Sequence, residues 1–302
     1  MNFLHISKRN RTKLFEPFKT EFGNRNITYK HISLEEYDFD TFDFIYAIAE
    51  YKPDVILVHH NKELLDKVFW IRLKIITNAH LAWWINDERF PPDKWRLDYV
   101  NIIDHYLVAS TESVKILRAQ GAKKTDYLLM GIPEYLDLKQ KRTIPIVFTG
   151  QNSHNLFPNS KYREYIILQL YNHFRNSFKI YGKDWGWIAT AEKQSMNIYN
   201  ITQIGISIEH YNTNGCHSNR LLEIMGRGAL AFSSSEKQLT HIFEHEKHLI
   251  YFKDHNDLIK KINYYMKHKN KARIIAENGR KYVLNNFTWR AKAIKIIELL
   301  NL

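Results

Sequence analysis

The segment "NGCHSNRLLEIMGRGALAF" at residues 214–232 carries charged side chains at helical spacing. Arg220, Glu223 and Arg227 recur at i, i+3 and i+7, so a helix would place them on one face. Ser218 is a favourable N-cap residue, and the free N–H groups at the helix start would join Arg220 in attracting a phosphate. Glu223 has the chemistry to accept two hydroxyls, such as a ribose 2′,3′ pair. The segment therefore predicts a nucleotide site, and the alternative is an Arg220–Glu223 surface pair worth about 0.5 kcal/mol.

Basic and histidine side chains follow two predicted strands in the first half of the chain. Lys8, Arg9 and Arg11 lie in "SKRNRTK" after the first strand, and His59 lies at the end of the third. Ligands of open α/β sheets bind beyond the carboxyl ends of the strands. These four residues are therefore candidates for contacting an anionic acceptor.

The composition is that of a folded, soluble protein. Of 302 residues, 44% are apolar and 14% aromatic, which suffices for a sizeable core and excludes global disorder. Cys216 is the only cysteine, so no internal disulfide can form and a reducing, cytoplasmic compartment is expected. Cys216 and His217 lack a second ligand pair at the usual spacing, which predicts no metal site. No apolar run reaches the roughly 20 residues that cross a bilayer, so we expect no membrane span.

The formal net charge of +12 is concentrated at the two ends of the sequence. Residues 1–31 hold seven lysines and arginines against two acidic residues, and residues 253–302 hold twelve against four. This excess suits an anionic partner such as nucleic acid, an acidic glycan or a phospholipid surface. The alternative is a solvated basic surface with no specific partner.

Strand and helix patterns alternate along nearly the whole sequence, which predicts a doubly wound α/β fold with parallel sheets. A chain of this length is expected to form two domains. The segment "GIPEYLDLKQKRTIP" has two prolines and a charge cluster, so the linker is placed there and the domains are bounded at 1–140 and 145–302. Strands are predicted at 2–7, 27–32, 54–60, 81–86, 105–110, 125–132, 146–150, 178–182, 204–209, 229–234 and 248–252. Helices are predicted at 11–22, 41–51, 62–77, 93–103, 111–120, 161–174, 257–268, 271–285 and 288–300, besides the one after Ser218.

The C-terminal half resembles a known enzyme family. The segments "RLLEIMGRGALAF", "HLIYFKDHNDLIKKINYYMKH" and "ARIIAENGRKYVLNNFTWRAK" are similar to the C-terminal domain of GT-B-fold glycosyltransferases, in particular the spore-maturation (CgeB-like) group. The likeness spans residues 145–300 in order. It implies two Rossmann-like domains whose parallel sheets face across a cleft, with a final helix that crosses back to the first domain. Arg290, Lys292 and Lys295 on that helix would then extend a basic surface around the acceptor.

The resemblance also implies how a nucleotide-sugar co-substrate, with UDP preferred, binds without a cofactor or metal. Glu223 would hold the ribose, and Arg220 with the amides near Ser218 and Asn219 would hold the diphosphate. Many relatives have a glutamate eight residues before the ribose glutamate, and that position is Gly215 here. A donor-sugar contact is therefore missing or supplied elsewhere. The other residues assigned to the donor by resemblance are Gly150, Gln151, Arg163, Gly182, Lys183 and His217; for Arg163 the alternative is a helix-surface residue.

The segment "WWINDERFPPDKW" resembles part of the T-even phage DNA β-glucosyltransferases, in which the aspartate is the catalytic base. Transferred to this chain, the base is Asp87, and Glu88 and Arg89 lie beside it at the acceptor. An inverting transfer requires one carboxylate to take the proton of the acceptor hydroxyl. The structural alternative is that Asp87 caps a turn or the following helix.

The sequence thus predicts a glycosyltransferase that moves a sugar from a nucleotide-diphosphate donor to an acceptor hydroxyl. That acceptor would be a modified base in DNA, or a bacterial glycan, protein or small molecule. The competing interpretation is a non-catalytic nucleic-acid-binding α/β protein. It accounts for the basic ends of the chain but not for Glu223 beside phosphate-binding amides.

Overall fold

The chain folds into two compact units. A computed structural model describes residues 1–8, 12–36, 41–59, 67–86, 97–134, 140–192 and 195–302. Unit 1 comprises Met1–Gly131 and Trp289–Leu302, and unit 2 comprises Ile132–Thr288. The division lies at the start of the predicted linker segment, and the last helix belongs to the first unit.

Unit 1 is organised around one parallel sheet. Its strands are β1 (Asn2–Ser7), β2 (Thr28–Ser33), β3 (Val55–His59), β4 (His80–Ile85), β5 (His105–Val108) and β6 (Thr125–Tyr127). They pair in the order β2-β1-β3-β4-β5-β6. Along β1, Leu4 and Ile6 join one buried cluster and Phe3 joins another. Because successive side chains point to opposite faces, the sheet is buried on both sides, which explains its nearly continuous apolar strands.

The helices of unit 1 cover the two faces of this sheet. They are α1 (Glu16–Gly23), α2 (Thr41–Tyr51), α3 (Lys67–Thr77) and α4 (Thr111–Ala119). Helix α4 begins where Ser110, in extended conformation, accepts hydrogen bonds from the backbone N–H groups of Glu112 and Ser113. This N-cap satisfies two of the donors that the first turn leaves unpaired.

Unit 2 repeats the same plan with five strands. They are β7 (Ile144–Thr149), β8 (Phe178–Tyr181), β9 (Thr202–Ser207), β10 (Leu230–Ser233) and β11 (Ile250–Tyr251), in the order β11-β10-β9-β7-β8. Its helices are α5 (Ser160–Phe174), α6 (Asn219–Gly226), α7 (Glu236–Leu239), α8 (His255–Lys267) and α9 (Lys269–Asn286). The last helix of the chain, α10 (Trp289–Leu300), packs against α1 in unit 1.

Both sheets reverse their strand order beside the first strand of the unit. In unit 1 the reversal lies between β1 and β3, and in unit 2 between β7 and β9. Ligands of doubly wound sheets bind outside the carboxyl ends of the strands at such a reversal. The predicted α/β class with two parallel sheets is confirmed, and the topology directs attention to the ends of β7 and β9.

Some predicted elements differ from the structure. The predicted strand at 125–132 ends at Tyr127, and the short helix α7 was not predicted. The predicted helix at 93–103 lies partly outside the described residues, and within it residues 98–102 form turns. In the described part of the chain, no helix is long and apolar enough to cross a membrane.

Candidate functional site

Arg220 joins the ends of two strands at the reversal in unit 2. It is the second residue of α6, and only 7% of it is exposed. Its Nε donates to the carbonyl oxygen of Thr149, the last residue of β7, and its Nη1 donates to that of Ile208, just beyond β9, at 3.2 Å. The guanidinium is thereby fixed where the topology predicts a ligand.

Arg163 brings a second buried guanidinium to the same place. It lies on α5, it is 2% exposed, and its Nη2 donates to the carbonyl oxygen of Gln151 at 3.1 Å. The guanidinium carbons of Arg163 and Arg220 lie 4.8 Å and 5.0 Å from the ring centroid of Phe148. Burial, and then the charge of Arg220, lower the pKa of Arg163 to about 8. Two like charges held together out of water favour the binding of an anion, although the Glu209 carboxylate already acts on Arg163 in the opposite direction and raises its pKa.

Gly150 provides the space between these two side chains. A Cβ at this position would lie 2.1 Å from Nη2 of Arg163 and 2.9 Å from Nη2 of Arg220. The φ angle of Gly150 is +145°, a conformation that disfavours other residues. The presence of glycine at position 150 therefore has a steric explanation, because any larger residue would displace the two arginine side chains.

His210 contacts the arginine pair as a neutral ring. Its Nε2 lies within hydrogen-bonding distance of Nη1 of Arg163. Burial, followed by the charges of Arg163 and Arg220, lowers the pKa of His210 to about 4. At neutral pH the ring therefore accepts a hydrogen bond from Arg163 without adding a third positive charge. The sequence analysis did not select His210, although it lies just beyond a predicted strand.

Several buried polar atoms of unit 2 have no hydrogen-bond partner among the described residues. They are Nε of Arg163, Oγ of Ser153 in the loop after β7, Oγ1 of Thr213 in the loop after β9, and Oδ1 of Asn219 at the start of α6. Most buried polar side-chain atoms in proteins are hydrogen-bonded. A polar ligand at the ends of β7 and β9 would offer hydrogen-bond partners to such unsatisfied donors and acceptors.

Glu209 is a further residue that the sequence analysis missed. It lies just beyond β9, is 6% exposed, and accepts hydrogen bonds from the hydroxyl of Ser207 at 2.7 Å and the backbone N–H of Ser218 at 2.8 Å. The expectation of free N–H groups at the helix start is thus wrong for Ser218. The Ser218 hydroxyl makes no capping bond either, and instead contacts Glu209 at 3.3 Å. The only sequence signal was an acidic residue after a strand.

Glu223 is buried rather than lined by solvent. It is 5% exposed, and its Oε2 accepts a hydrogen bond from Nε of Arg227 at 2.7 Å. Arg227 also donates through Nη1 to the side chain of Asn200 at 3.0 Å. The alternative of a surface pair with Arg220 is therefore wrong, because the partner of Glu223 is Arg227 and the pair is buried.

The other residues assigned to the donor lie around this cluster in different ways. Gly182, with φ +156°, packs so closely that a Cβ would lie 2.2 Å from the carbonyl oxygen of Gly150. Gln151 and Lys183 have exposed side chains, and their backbone oxygens accept bonds from Arg163 and Asn152.

His217 faces away from solvent, into the interior of unit 2. It is 5% exposed, and its ring centroid lies 5.7 Å from that of Phe243 and 6.2 Å from that of Phe287. Its Nδ1 contacts the carbonyl oxygen of Ser218 at 3.1 Å. These contacts give the ring a packing role beneath the start of α6.

The acceptor residues are only partly within the described structure. Arg9, Arg11, Asp87, Glu88 and Arg89 lie outside the described residues.

Lys8 and His59 lie at the strand reversal in unit 1, with different exposure. Lys8 follows β1 and is exposed. His59 ends β3 but is 7% exposed, and its ring stacks on Trp84 with 4.3 Å between centroids. Little of the His59 side chain is therefore open to a ligand, because aromatic rings cover it.

Of the three basic residues of α10 that were predicted to extend a basic surface, Lys292 is buried and the other two contact carboxylates. Lys292 is 6% exposed, and burial with the charge of Lys295 lowers its pKa to about 7. Arg290 contacts the Glu21 carboxylate at 3.2 Å, and Lys295 contacts that of Glu298 at 2.9 Å. The charges of Arg290 and Lys295 are thus partly balanced by neighbouring carboxylates. Nor do the described residues contain a group of three or more His, Cys, Asp or Glu side chains that could hold a metal.

Comparison with known proteins adds a family to this geometry. Residues 163–298 match a family model described as glycosyl transferase-like, a range that begins at Arg163 and includes Arg220 and Glu223. The matched part of the chain is thus glycosyl transferase-like. The chain also shares its fold with solved GT-B glycosyltransferase structures. No curated protein sequence matches it.

Three such structures illustrate the likeness over nearly the whole chain. HepE of Anabaena, solved with UDP and glucose, has a TM-score of 0.67 at 11% identity, covering 100% of this chain and 99% of its own. Sucrose-phosphate synthase of Thermosynechococcus elongatus has 0.65 at 14%, covering 100% and 98%. A glycosyltransferase of Rickettsia africae has 0.59 at 15%, covering 99% and 98%. At these identities the likeness shows the GT-B fold. The resemblances to the spore-maturation group and to the phage enzymes stay predictions.

Proposed function

We propose that this protein is a glycosyltransferase that uses a UDP-sugar donor and that the donor diphosphate binds between Arg163 and Arg220. The arginine pair carries the proposal, because two buried guanidiniums at the strand reversal form a site of concentrated positive charge. The unsatisfied atoms of Ser153, Thr213 and Asn219 offer further polar contacts. The choice of UDP is supported by HepE, whose structure contains UDP and glucose.

The proposal assigns the ribose to Glu223 and a donor-sugar contact to Glu209. Arg227 holds Oε2 of Glu223, which leaves Oε1 as the atom for the ribose hydroxyls. Glu209 lies at the start of α6 and supplies a carboxylate there although Gly215 does not. Glu209 would thus replace the glutamate that many relatives have at the position of Gly215, with a longer loop between it and α6.

The acceptor is assigned to unit 1, and we keep Asp87 as the general base. Glu88, Arg89, Lys8, Arg9, Arg11 and His59 complete the proposed acceptor residues. Unit 1 then acts as the acceptor domain and unit 2 as the donor domain. The acceptor is an anionic molecule with a free hydroxyl, either a modified base in duplex DNA or a bacterial glycan or protein.

Calorimetric titration tests the donor site. We expect UDP to bind, uridine to bind much more weakly, and Arg220→Gln to weaken UDP binding by about 1.5–3 kcal/mol, roughly 10- to 150-fold. Lys161→Gln is the matched control, since Lys161 is an exposed cation on the same helix as Arg163. Equal affinity for UDP and uridine would remove the diphosphate from the arginine pair.

A transfer assay with labelled UDP-sugars tests the acceptor. The assay offers duplex DNA with hydroxyl-bearing modified bases, bacterial glycans, or no acceptor. Label in the DNA would identify the first class, and label in the glycan the second. Binding of duplex DNA, without binding or hydrolysis of any nucleotide sugar, would instead support the alternative of a non-catalytic nucleic-acid-binding protein.

A further inference from the structure

A second cavity, of about 370 Å³, lies in unit 2 at the amino ends of β9 and β10. The arginine pair lies at the carboxyl ends, so this cavity is at the opposite end of the sheet. Ile204 and Leu230 line it and are direct neighbours in the register of the two strands. The volume falls within the range of small-molecule sites in proteins, roughly 300–1,000 Å³.

The walls of the cavity are apolar. Tyr265 and Met266 from the end of α8 line it, together with Ala272 and Ala276 from α9. The two alanines are four residues apart on one helix face, where larger side chains would fill the space. Protein interiors are close-packed, so an apolar recess of this size is suited to an apolar group from a ligand.

The rim of the cavity is strongly basic. Four cationic side chains line it, those of Arg142, Lys269, Arg273 and Arg280. Glu277 is the only carboxylate among the described lining residues, and it is already paired with Arg273 at 2.8 Å. The lining therefore has an excess of positive charge beside an apolar surface.

Arg142 is held rigidly at this rim. Its Nη1 donates to the carbonyl oxygens of Tyr199, at 3.1 Å, and Thr202, and its Nη2 donates to that of Arg227 at 2.8 Å. Carbonyl oxygens orient the guanidinium but leave its charge in place. Burial, and then the charge of Arg280, lower the pKa of Arg142. An anion at the rim would relieve this repulsion.

We propose that this cavity binds an amphipathic anion with an acyl chain, with its apolar chain between β9, β10 and α9 and its charged group beside the basic side chains. A neutral apolar ligand would make no use of the excess positive charge, and inorganic phosphate would leave the apolar walls uncovered. An acyl chain joined to an anionic group is offered by a free fatty acid, through its carboxylate, and by an anionic bilayer lipid, through its phosphate. The site is separate from the donor site and does not depend on the reaction proposed above.

Calorimetry with decanoate tests the proposal. Decanoate should bind the wild-type protein at one site, and decanol, which has the same chain without the charge, should bind at least tenfold more weakly. Lys269→Glu/Arg273→Glu should weaken decanoate binding at least tenfold by reversing two rim charges, and Ala272→Trp should do so by filling the cavity. Lys260→Glu/Lys267→Glu is the matched control, because both lysines are exposed cations on α8 outside the lining.

Thermal midpoints verify that each variant is folded. If Ala272→Trp does not fold, the test rests on the charge-reversal variant Lys269→Glu/Arg273→Glu. The proposal is overturned if decanoate does not saturate the wild-type protein, or if the rim variant and the control bind it equally. Co-sedimentation with phosphatidylglycerol vesicles then separates the two sources. Vesicle binding that Lys269→Glu/Arg273→Glu abolishes would identify a bilayer lipid, and decanoate binding without vesicle binding would identify a free carboxylate.

Discussion

Replacing Arg163 with methionine should make the unliganded protein more stable and should weaken the binding of the donor. Arg163 is 2% exposed and shares the ring of Phe148 with Arg220. Exchanging buried charge for an apolar side chain of similar length can stabilise a protein by about 1–4 kcal/mol. The lost hydrogen bonds to the carbonyl of Gln151 and to Nε2 of His210 each cost about 1 kcal/mol of this gain. We expect a net gain of up to about 2 kcal/mol, equivalent to a rise of up to roughly 8 °C in thermal midpoint.

The same substitution removes one of the two positive charges assigned to the diphosphate. UDP binding should weaken by about 1.5–3 kcal/mol. A ligand at 100 times its dissociation constant adds about 2.7 kcal/mol to the free energy of unfolding. The wild-type midpoint should therefore rise strongly with UDP and that of Arg163→Met only weakly, which reverses their order at high UDP concentration.

Scanning calorimetry over a UDP series measures both effects, and Lys161→Met on the exposed face of α5 serves as the control. A lower midpoint for unliganded Arg163→Met, combined with unchanged UDP affinity, would refute the reasoning. Arg163 would then be a structural residue whose bonds outweigh its burial. The diphosphate would have to bind elsewhere.

Three further outcomes are expected. Glu223→Ala should weaken UDP binding and also destabilise the protein by about 3–5 kcal/mol, because it strands the buried charge of Arg227; a calorimetric midpoint equal to wild type would contradict this. Asp87→Asn should reduce turnover about 10²–10⁴-fold in a steady-state assay with UDP affinity unchanged, and near-normal turnover would reject this residue as the base. Burial lowers the pKa of His31 to about 4 and that of His5 well below its usual value, so the folded state binds fewer protons than the unfolded chain. The contribution of these neutral histidines to the free energy of unfolding should be fully present above about pH 6.5 and should be lost as the pH falls towards 4. Thermal midpoints that do not change over this range would contradict the prediction.

Much of the fold was predictable because its physical signal is local. The strand at Asn2–Ser7 and the helix at Thr41–Tyr51 agree with their predicted bounds, since apolar runs and helical periodicity are properties of neighbouring residues. The ends of elements were less accurate where burial decides them. The strand at Thr125–Tyr127 is shorter than the apolar run that predicted it, because the following residues leave the sheet.

The candidate site was predictable only in part, because its side chains depend on contacts distant in sequence. Arg220 could be selected from its helix and from a family resemblance, but the sequence did not show that its guanidinium bridges two strand ends. Glu209 was missed because a loop separates it from α6, and only the fold brings its carboxylate to Ser218. The burial of His59 could not be predicted either, because the sequence does not reveal that the ring of Trp84 lies against it.

The position of α10 makes unit 2 an insertion within unit 1. The two ends of unit 2 adjoin, since the N–H of Ile132 donates to the carbonyl of Phe287 at 2.8 Å and Ile132 pairs with Thr288. Meanwhile Trp289, Ala293 and Ile296 belong to the core of unit 1. During synthesis the first unit must therefore wait for the second to be made before its core is complete. A fragment that ends at Gly131 should fold poorly because it lacks α10. Residues 132–288 are the natural range for expressing the second unit alone.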